Sequence, residues 1–186
     1  AGRRGYPNPT CQSRAALTVP TPGREGVARV LERESRLAIE DDPYWHLAIT
    51  APIALATLAP RHVFHVATLS KVISPGLRTA FVQCPSAAHA EAMAAALRAT
   101  RLMGHPLVSA LASQLLLDGS AQSLLVQVRE EARERTRLAR YLLAPSLLER
   151  ADGLPSWCRV PAPWTAATLV RTAPLHGLAV APSSAF

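Results

Sequence analysis

The spacing of apolar positions changes several times along the chain, and each change predicts a change of element. In "REGVARVLERES" the residues Val27, Val30 and Leu31 fall at helical spacing, so a helix is expected after a Pro/Gly-rich loop. "RLAIEDD" then shortens to an apolar run that ends in three acids and a proline, the pattern of a buried strand. Two more strands are expected at "HVFHVATLS" and "TAFVQCP". Helical patterns follow over residues 87–101, over 106–117 and, heavily charged, from about Ala121 to Leu143. "PSWCRVPA" predicts a strand, residues 163–174 a helix, and "GLAVAP" a last strand. The opening "GRRGYPNPTCQ" reads as a short strand running into a Pro/Asn turn. Strands alternating with helices in this order predict an α/β fold.

Composition narrows the class. The chain has 186 residues, of which 49% are apolar and 18% charged, so a folded core is expected and disorder is excluded. The net charge of +7 comes from arginines spread along the chain rather than from a clustered stripe with interleaved aromatics, which weakens a nucleic-acid reading. In the long helix, charges of both signs alternate, with i,i+4 pairs such as Glu131–Arg135, as on a solvated face. Cys11, Cys84 and Cys158 are far apart and odd in number, giving neither a disulfide framework nor metal-ligand spacing. A reduced, cytoplasmic setting fits them, with Cys84 and Cys158 in the core. The longest apolar run, residues 47–60, is interrupted by Pro52 and too short to span a bilayer, and no signal-peptide core opens the chain. His62 and His65 are three apart on a strand and so fall on opposite faces, which assigns them structural roles and no metal. Trp45 is expected to pack, and Met93 and Met103 to fill helices.

One residue type breaks the composition. Of 20 basic residues, only Lys71 is a lysine, and it stands between two hydroxyl-bearing segments seven residues before Arg78. An amine that must act as a nucleophile has to be lysine, because a guanidinium stays protonated and forms no imine. The strand ends collect complementary chemistry: Asn8 after the first, Asp41, Asp42 and Tyr44 after the second, and Thr68, Ser70 and Lys71 after the third. Ligand sites gather at such carboxyl ends in α/β sheets. Small hydroxyls, a glycine-containing turn and an arginine suit a phosphate, and a nearby carboxylate suits a cationic ring nitrogen. Amine, phosphate cup and carboxylate together describe a pyridoxal 5'-phosphate site.

With these motifs in hand, "NPT", "IEDDPYW" and "TLSKVISPGLRTAFV" resemble the fold-type I pyridoxal phosphate enzymes, the class I/II aminotransferases. The family pattern is Asn-Pro-Thr-Gly, Asp-x-x-Tyr, then Ser-x-Ser-Lys with an arginine seven residues on. The downstream text is similar to the aminotransferase-like domain of MocR-type regulators of the GntR family. The resemblance implies that Lys71 carries the cofactor as a Schiff base and serves as the proton-transfer base. It implies that Asp41, rather than Asp42, pairs with the pyridinium nitrogen, because Asp41 satisfies the Asp-x-x-Tyr spacing. Tyr44 and Asn8 would hydrogen-bond the ring's 3-oxygen, and Thr68, Ser70 and Arg78 would bind the phosphate. Cys11 departs from the pattern, standing where the family has the glycine of its turn.

The expectation is therefore a partial transferase fold. Residues 1–125 would form the later part of a mixed-sheet, cofactor-binding large domain. Residues 126–186 would form a connecting helix and the start of a small α+β domain, the whole being a fragment. The implied function is amino-group transfer from an amino acid to a keto acid. The alternatives are a cofactor-binding effector domain of a MocR/GntR-type transcriptional regulator without turnover, or an inactive fragment. The resemblance also implies a homodimer in the full-length protein, with DNA contacted only through a domain absent from this chain, and no membrane.

Overall fold

Residues 5–11, 17–48, 50–101, 103–150 and 156–185 are described by a computed structural model, with the side chains of 149 and 150 left aside. Ala38, Ile39, Glu40 and Asp41 alternate between buried and half-buried, which puts them on opposite faces of a strand, β1 (Ala38–Asp41). A second strand, β2 (Val63–Thr68), lies parallel to it, with Ala38 opposite Val63 and Asp41 opposite Val66. The third, β3 (Ala80–Gln83), returns antiparallel, with Thr68 opposite Ala80. The sheet is thus mixed, in the order β1–β2–β3. Beside β1 the opening segment runs parallel through a Gly5–Ala38 bridge, and the amides of Ile39 and Asp41 donate to Gly5 O and Pro7 O at 3.1 Å.

Two parallel neighbours need a crossover between them. Here the connection holds a short helix, α2 (Leu55–Leu58), and packs with an earlier helix, α1 (Thr21–Arg33). Pro22 sits in the first turn of α1, where its missing N–H has no helical acceptor to lose. Ala28 and Leu31 of α1 meet Leu55, Ala56 and Ala59 over Ala38 and Val63, and these apolar side chains are the core on that face of the sheet.

Beyond β3 come α3 (Ala87–Arg101), α4 (Pro106–Leu117) and α5 (Ser120–Leu142). Gly119, at φ 81°, turns the chain from α4 into α5, and Asp118 Oδ1 accepts the Ser120 amide at 2.8 Å. Two small clusters tie these helices to the segment after β2. Leu47 and Val72 pack on Leu125 of α5, while Leu69 and Leu77 pack on Ala112 of α4. Arg129 Nε adds a 2.6 Å bond to His46 O. On the open face of α5, Glu131–Arg135 pairs at 2.7 Å, as its spacing predicts, with Glu130–Arg133 and Glu134–Arg137 beside it. Exposed pairs of this kind each contribute only a few tenths of a kcal/mol, about 0.3–0.5.

The structure departs from the sequence reading mainly in the last part of the chain. A two-stranded antiparallel ribbon joins β4 (Leu148–Arg150), which the pattern did not show, to β5 (Trp157–Cys158). Next comes α6 (Ala166–Thr172), closed at its start by a reciprocal Thr165–Thr168 capping box. The strand expected at "GLAVAP" is absent: Leu178 and Val180 are exposed, and the segment joins no ladder among the described residues. Apolar residues make a strand only where a partner accepts their backbone groups. Cys158 is exposed rather than core although β5 has its ladder partner, and Cys84 is half-buried. Met103 lies past the end of α3 and is 71% exposed, so it fills no helix packing. Among the described residues no helix is long and apolar enough to cross a membrane.

The α1–α2 core predicts a measurable loss. Leu55 is 1% exposed, so Leu55→Ala should lower the unfolding free energy by about 2–5 kcal/mol in urea titrations.

Candidate active site

At the end of β2 the buried Leu69 and Val72 hold the chain down, while Lys71 between them stays exposed. Thr68 organises the turn: its Oγ1 accepts the Ser70 amide at 3.1 Å and lies 3.0 Å from Ser70 Oγ and 3.3 Å from Thr79 O. The Leu69 amide donates to the same Thr79 carbonyl at 3.1 Å, closing the loop between β2 and β3. Lys71 Nζ stands 5.7 Å from the centroid of the Tyr44 ring, a cation–π distance that brings two sequence-predicted residues together. Downstream, Ser74 Oγ accepts the Gly76 amide at 3.2 Å and caps a single 3-10 turn, Pro75–Leu77. Arg78 ends that turn at φ 45°, a left-handed conformation disfavoured for a side-chain-bearing residue. Its guanidinium is exposed and makes no hydrogen bond or ion pair among the described residues.

At the parallel end of β1, Asp41 and Asp42 point apart. Asp41 is half-buried, and its Oδ2 accepts the Tyr6 hydroxyl at 2.7 Å. That bond to a carboxylate raises the Tyr6 pKa. The Asp41 amide also holds Pro7 O, so Asn8 follows directly from a carbonyl fixed on β1. Asn8 Oδ1 is buried with no hydrogen-bond partner, an arrangement that is costly unless something else donates to it. Three residues on, Cys11 adopts φ 46° while 1% exposed. Cys11 therefore holds a conformation that glycine adopts freely, against a penalty of about 1–2 kcal/mol for an L side chain. Its amide donates to Thr18 Oγ1 at 3.1 Å.

Behind these residues lies a charged cluster that the sequence pattern did not reveal. Arg24, Glu40 and Asp42 all have side chains of 0% exposure. Arg24 Nη1 is 3.6 Å from Glu40 and 3.8 Å from Asp42, and Thr10 donates its hydroxyl to Asp42 Oδ2 at 2.6 Å. Glu40 caps α2, accepting the amides of Leu55 and Ala56 at 2.8 and 3.0 Å, and it meets His65 Nδ1 at 3.0 Å. Burial pushes Glu40 upward, but the His65 bond and the two amides outweigh it and leave its pKa lowered. The same bond raises His65. Burial dominates at Asp42 and lifts it to about 6, despite Thr10 and Arg24. The "EDD" triplet was the available signal for Glu40 and Asp42, whereas Arg24 looked like any helix arginine. His65 is structural, as expected, and Trp45 packs with its Nε1 donating to Pro52 O at 2.9 Å.

A cavity of about 380 Å³ opens between β2, β3 and α5, lined by Ala67, Thr68, Leu69, Phe81 and Leu125 among others. Of the sequence-predicted residues it takes in Thr68, while Lys71, Asp41 and Asn8 lie outside it.

No protein-family model matches the chain. Two curated sequences similar to it are uncharacterized HTH-type transcriptional regulators of Bacillus subtilis (strain 168). YdeF is 31% identical over 159 residues, covering 84% of this chain and 34% of the regulator. YdfD is 29% identical over 157 residues, covering 81% and 32%. Among solved structures, the alpha-aminoadipate aminotransferase LysN of Thermus thermophilus, complexed with N-(5'-phosphopyridoxyl)-L-leucine, matches with TM-score 0.81 and 23% identity over 96% of this chain and 48% of its own. The kynurenine aminotransferase of Pyrococcus horikoshii, in complex with PMP, matches with TM-score 0.84 and 20% identity over 98% and 47%. The chain thus spans about a third of the length of the regulators and about half that of the aminotransferases.

The buried cluster sets a pH signature. With Asp42 raised from 3.8 to about 6, the native state holds that proton more tightly than the unfolded chain does. The resulting stability is present at the acid end of this window and is lost as pH rises through about 6. His65, also raised, contributes stability that is full below its ordinary 6.5 and is lost as pH climbs above it. Glu40 works the other way, losing stability as pH falls below 4.5. Asp42→Asn should therefore flatten the decline between pH ~4 and ~6 and leave the decline above it, as read from urea midpoints against pH.

Proposed function

We propose that this chain, which has the fold of the pyridoxal phosphate-dependent aminotransferases over about half their length, is the lysine-bearing part of a cofactor-binding domain that moves an amino group between an amino acid and a keto acid. The observation that carries the reading is the convergence at one sheet edge. Asp41 ends β1, Lys71 follows the end of the parallel β2 and faces Tyr44, and on the neighbouring turn the Asn8 side-chain amide keeps a buried oxygen without a partner. Open α/β sheets bind ligands at such carboxyl ends.

The donor set fits the cofactor. One primary amine stands free of any carboxylate among the described residues and over the Tyr44 phenol, with two hydroxyls and an exposed guanidinium on its own loop, while a carboxylate and an amide belong to the end of β1 and the turn beside it. A half-turn of the Asn8 amide group puts its N–H where the oxygen stands, so the side chain can donate to a ring substituent. In this reading Asp41 accepts the pyridinium N–H, Asn8 and Tyr44 hydrogen-bond the ring's 3-oxygen, and Thr68, Ser70 and Arg78 take the phosphate. Bound pyridoxal phosphate supplies an electron sink that acidifies the substrate's α C–H. Lys71 Nζ is then the base that takes up the α-proton and returns it, a role a guanidinium is too basic to fill.

A second reading rests on a separate observation, the 31% identity to an HTH-type regulator across most of the chain. Here the same residues bind cofactor and amino acid as a signal, and DNA contact belongs to a segment outside these residues. Both readings place a large-domain part up to about residue 125, with the small domain beginning along α5. Both also place the full-length protein in the cytoplasm as a homodimer.

Incubation with pyridoxal phosphate, borohydride reduction and peptide mapping test the claim. One labelled peptide containing Lys71 is expected, and Lys71→Arg should abolish it. Label confined to the chain's α-amino group, or no label, overturns the reading. A panel of amino acids followed by the cofactor's visible spectrum then separates turnover from sensing. Release of keto acid marks the enzyme, and spectral change without release marks the sensor.

A further inference from the structure

Arg24 is the most constrained charge in the described structure. It lies in the first turn of α1 with no exposed surface, yet it reaches three other segments. Nε donates to Val19 O at 2.9 Å, and Nη1 donates to Ile53 O at 3.3 Å. Nη2 donates to both Pro9 O at 3.1 Å and Thr10 Oγ1 at 2.7 Å, and Thr10 passes its own proton to Asp42 Oδ2 at 2.6 Å. Pro9 O also accepts the Val19 amide at 2.8 Å, so both arms of the loop meet at this guanidinium.

The position of these contacts along the chain matters. Pro9 and Thr10 directly follow Asn8, and Asp42 directly follows Asp41. Pro7, on the other side of Asn8, is held by the Asp41 amide. Asn8 is thus fixed from both flanks, while its own Oδ1 remains without a partner. The turn also contains Cys11 at φ 46°, a conformation that needs outside contacts to persist.

We propose that Arg24, acting through Thr10 and Asp42, is a positioning residue that locks the Asn8 turn in register with Asp41 and so aims both side chains at the cofactor ring. The proposal deepens the cofactor reading and rests on it. Arg24 touches no reacting atom. Its planar fork spans two acceptors on the turn, the Glu40 carboxylate on β1 and that of Asp42 just past it at once. A lysine in its place keeps the charge but concentrates its three donors at one nitrogen.

Thr10 offers the cleanest probe. Thr10→Val keeps the shape and removes the hydroxyl that joins Arg24 to Asp42, whereas Thr10→Ser keeps the hydroxyl. Arg24→Lys tests the fork, and Leu55→Ala, which keeps the Leu55 amide's bond to Glu40 and removes core side-chain atoms, serves as a destabilised control. Two readouts are used: hydrogen exchange at the Val19 and Asp41 amides without cofactor, and the pH midpoint of the visible absorption of pyridoxal phosphate attached to Lys71. Thr10→Val and Arg24→Lys should speed exchange at both amides, on the order of tenfold relative to global opening. They should also raise the spectral midpoint, because hydrogen bonds to the ring's 3-oxygen favour the unprotonated attachment. Thr10→Ser should match the parent, and Leu55→Ala should leave the midpoint in place.

Parent-like exchange and midpoint in Thr10→Val overturn the proposal, as does an equal midpoint shift in Leu55→Ala. Should Arg24→Lys fail to fold, Thr10→Val against Thr10→Ser decides alone. Should the parent not label at Lys71, the cofactor reading falls and takes the aiming role with it, while the exchange data still report whether Arg24 holds the turn.

Discussion

A guanidinium with no solvent contact must have its charge and all its N–H groups met inside the fold, and in this chain that demand organises everything around it. Arg24 is met by Glu40 and Asp42 and by the oxygens of Pro9, Thr10, Val19 and Ile53. Two buried carboxylates beside one guanidinium leave an excess of negative charge. His65 compensates at Glu40, and a raised pKa compensates at Asp42. Removing one member of such a cluster strands the others in a medium that solvates them poorly.

The cluster sits on one face of β1 and the candidate chemistry starts from the other, a consequence of strand alternation. Glu40 turns inward to cap α2, while Asp41 turns toward Tyr6 and the Asn8 turn. One strand therefore joins a structural charge network to a candidate site residue through a single peptide unit. On β2 the same logic operates in the loop that follows. Leu69, Val72 and Leu77 anchor it to α4 and α5, so the intervening Lys71 projects outward over Tyr44. Non-glycine residues at positive φ, Cys11 and Arg78, flank these two loops. Such conformations survive only where surrounding contacts over-determine them.

Legibility followed the range of the forces involved. The helices at 87–101 and 106–117 were read to the residue because their period is local, and α5 to within one residue at each end. The strands carrying the site were legible because short apolar runs ended in polar residues. The terminal segment was not: "GLAVAP" has the composition of a strand but no ladder to join, and β4 formed where composition gave no cue. Cys158 is paired yet exposed, because burial depends on a covering layer that no local pattern announces.

By itself the sequence determined the inventory and order of the chemistry: a single amine at Lys71, the acids at the end of β1, and the hydroxyls and arginine around the lysine. These are properties of residue type and spacing, and a chain carries them folded or not. Only the tertiary structure decided which acid faces which way, that Cys11 takes a left-handed conformation, and that Arg24 is buried against Glu40 and Asp42. Burial, pairing and desolvation are properties of neighbours, and the neighbours of Arg24 lie up to 29 residues away along the chain.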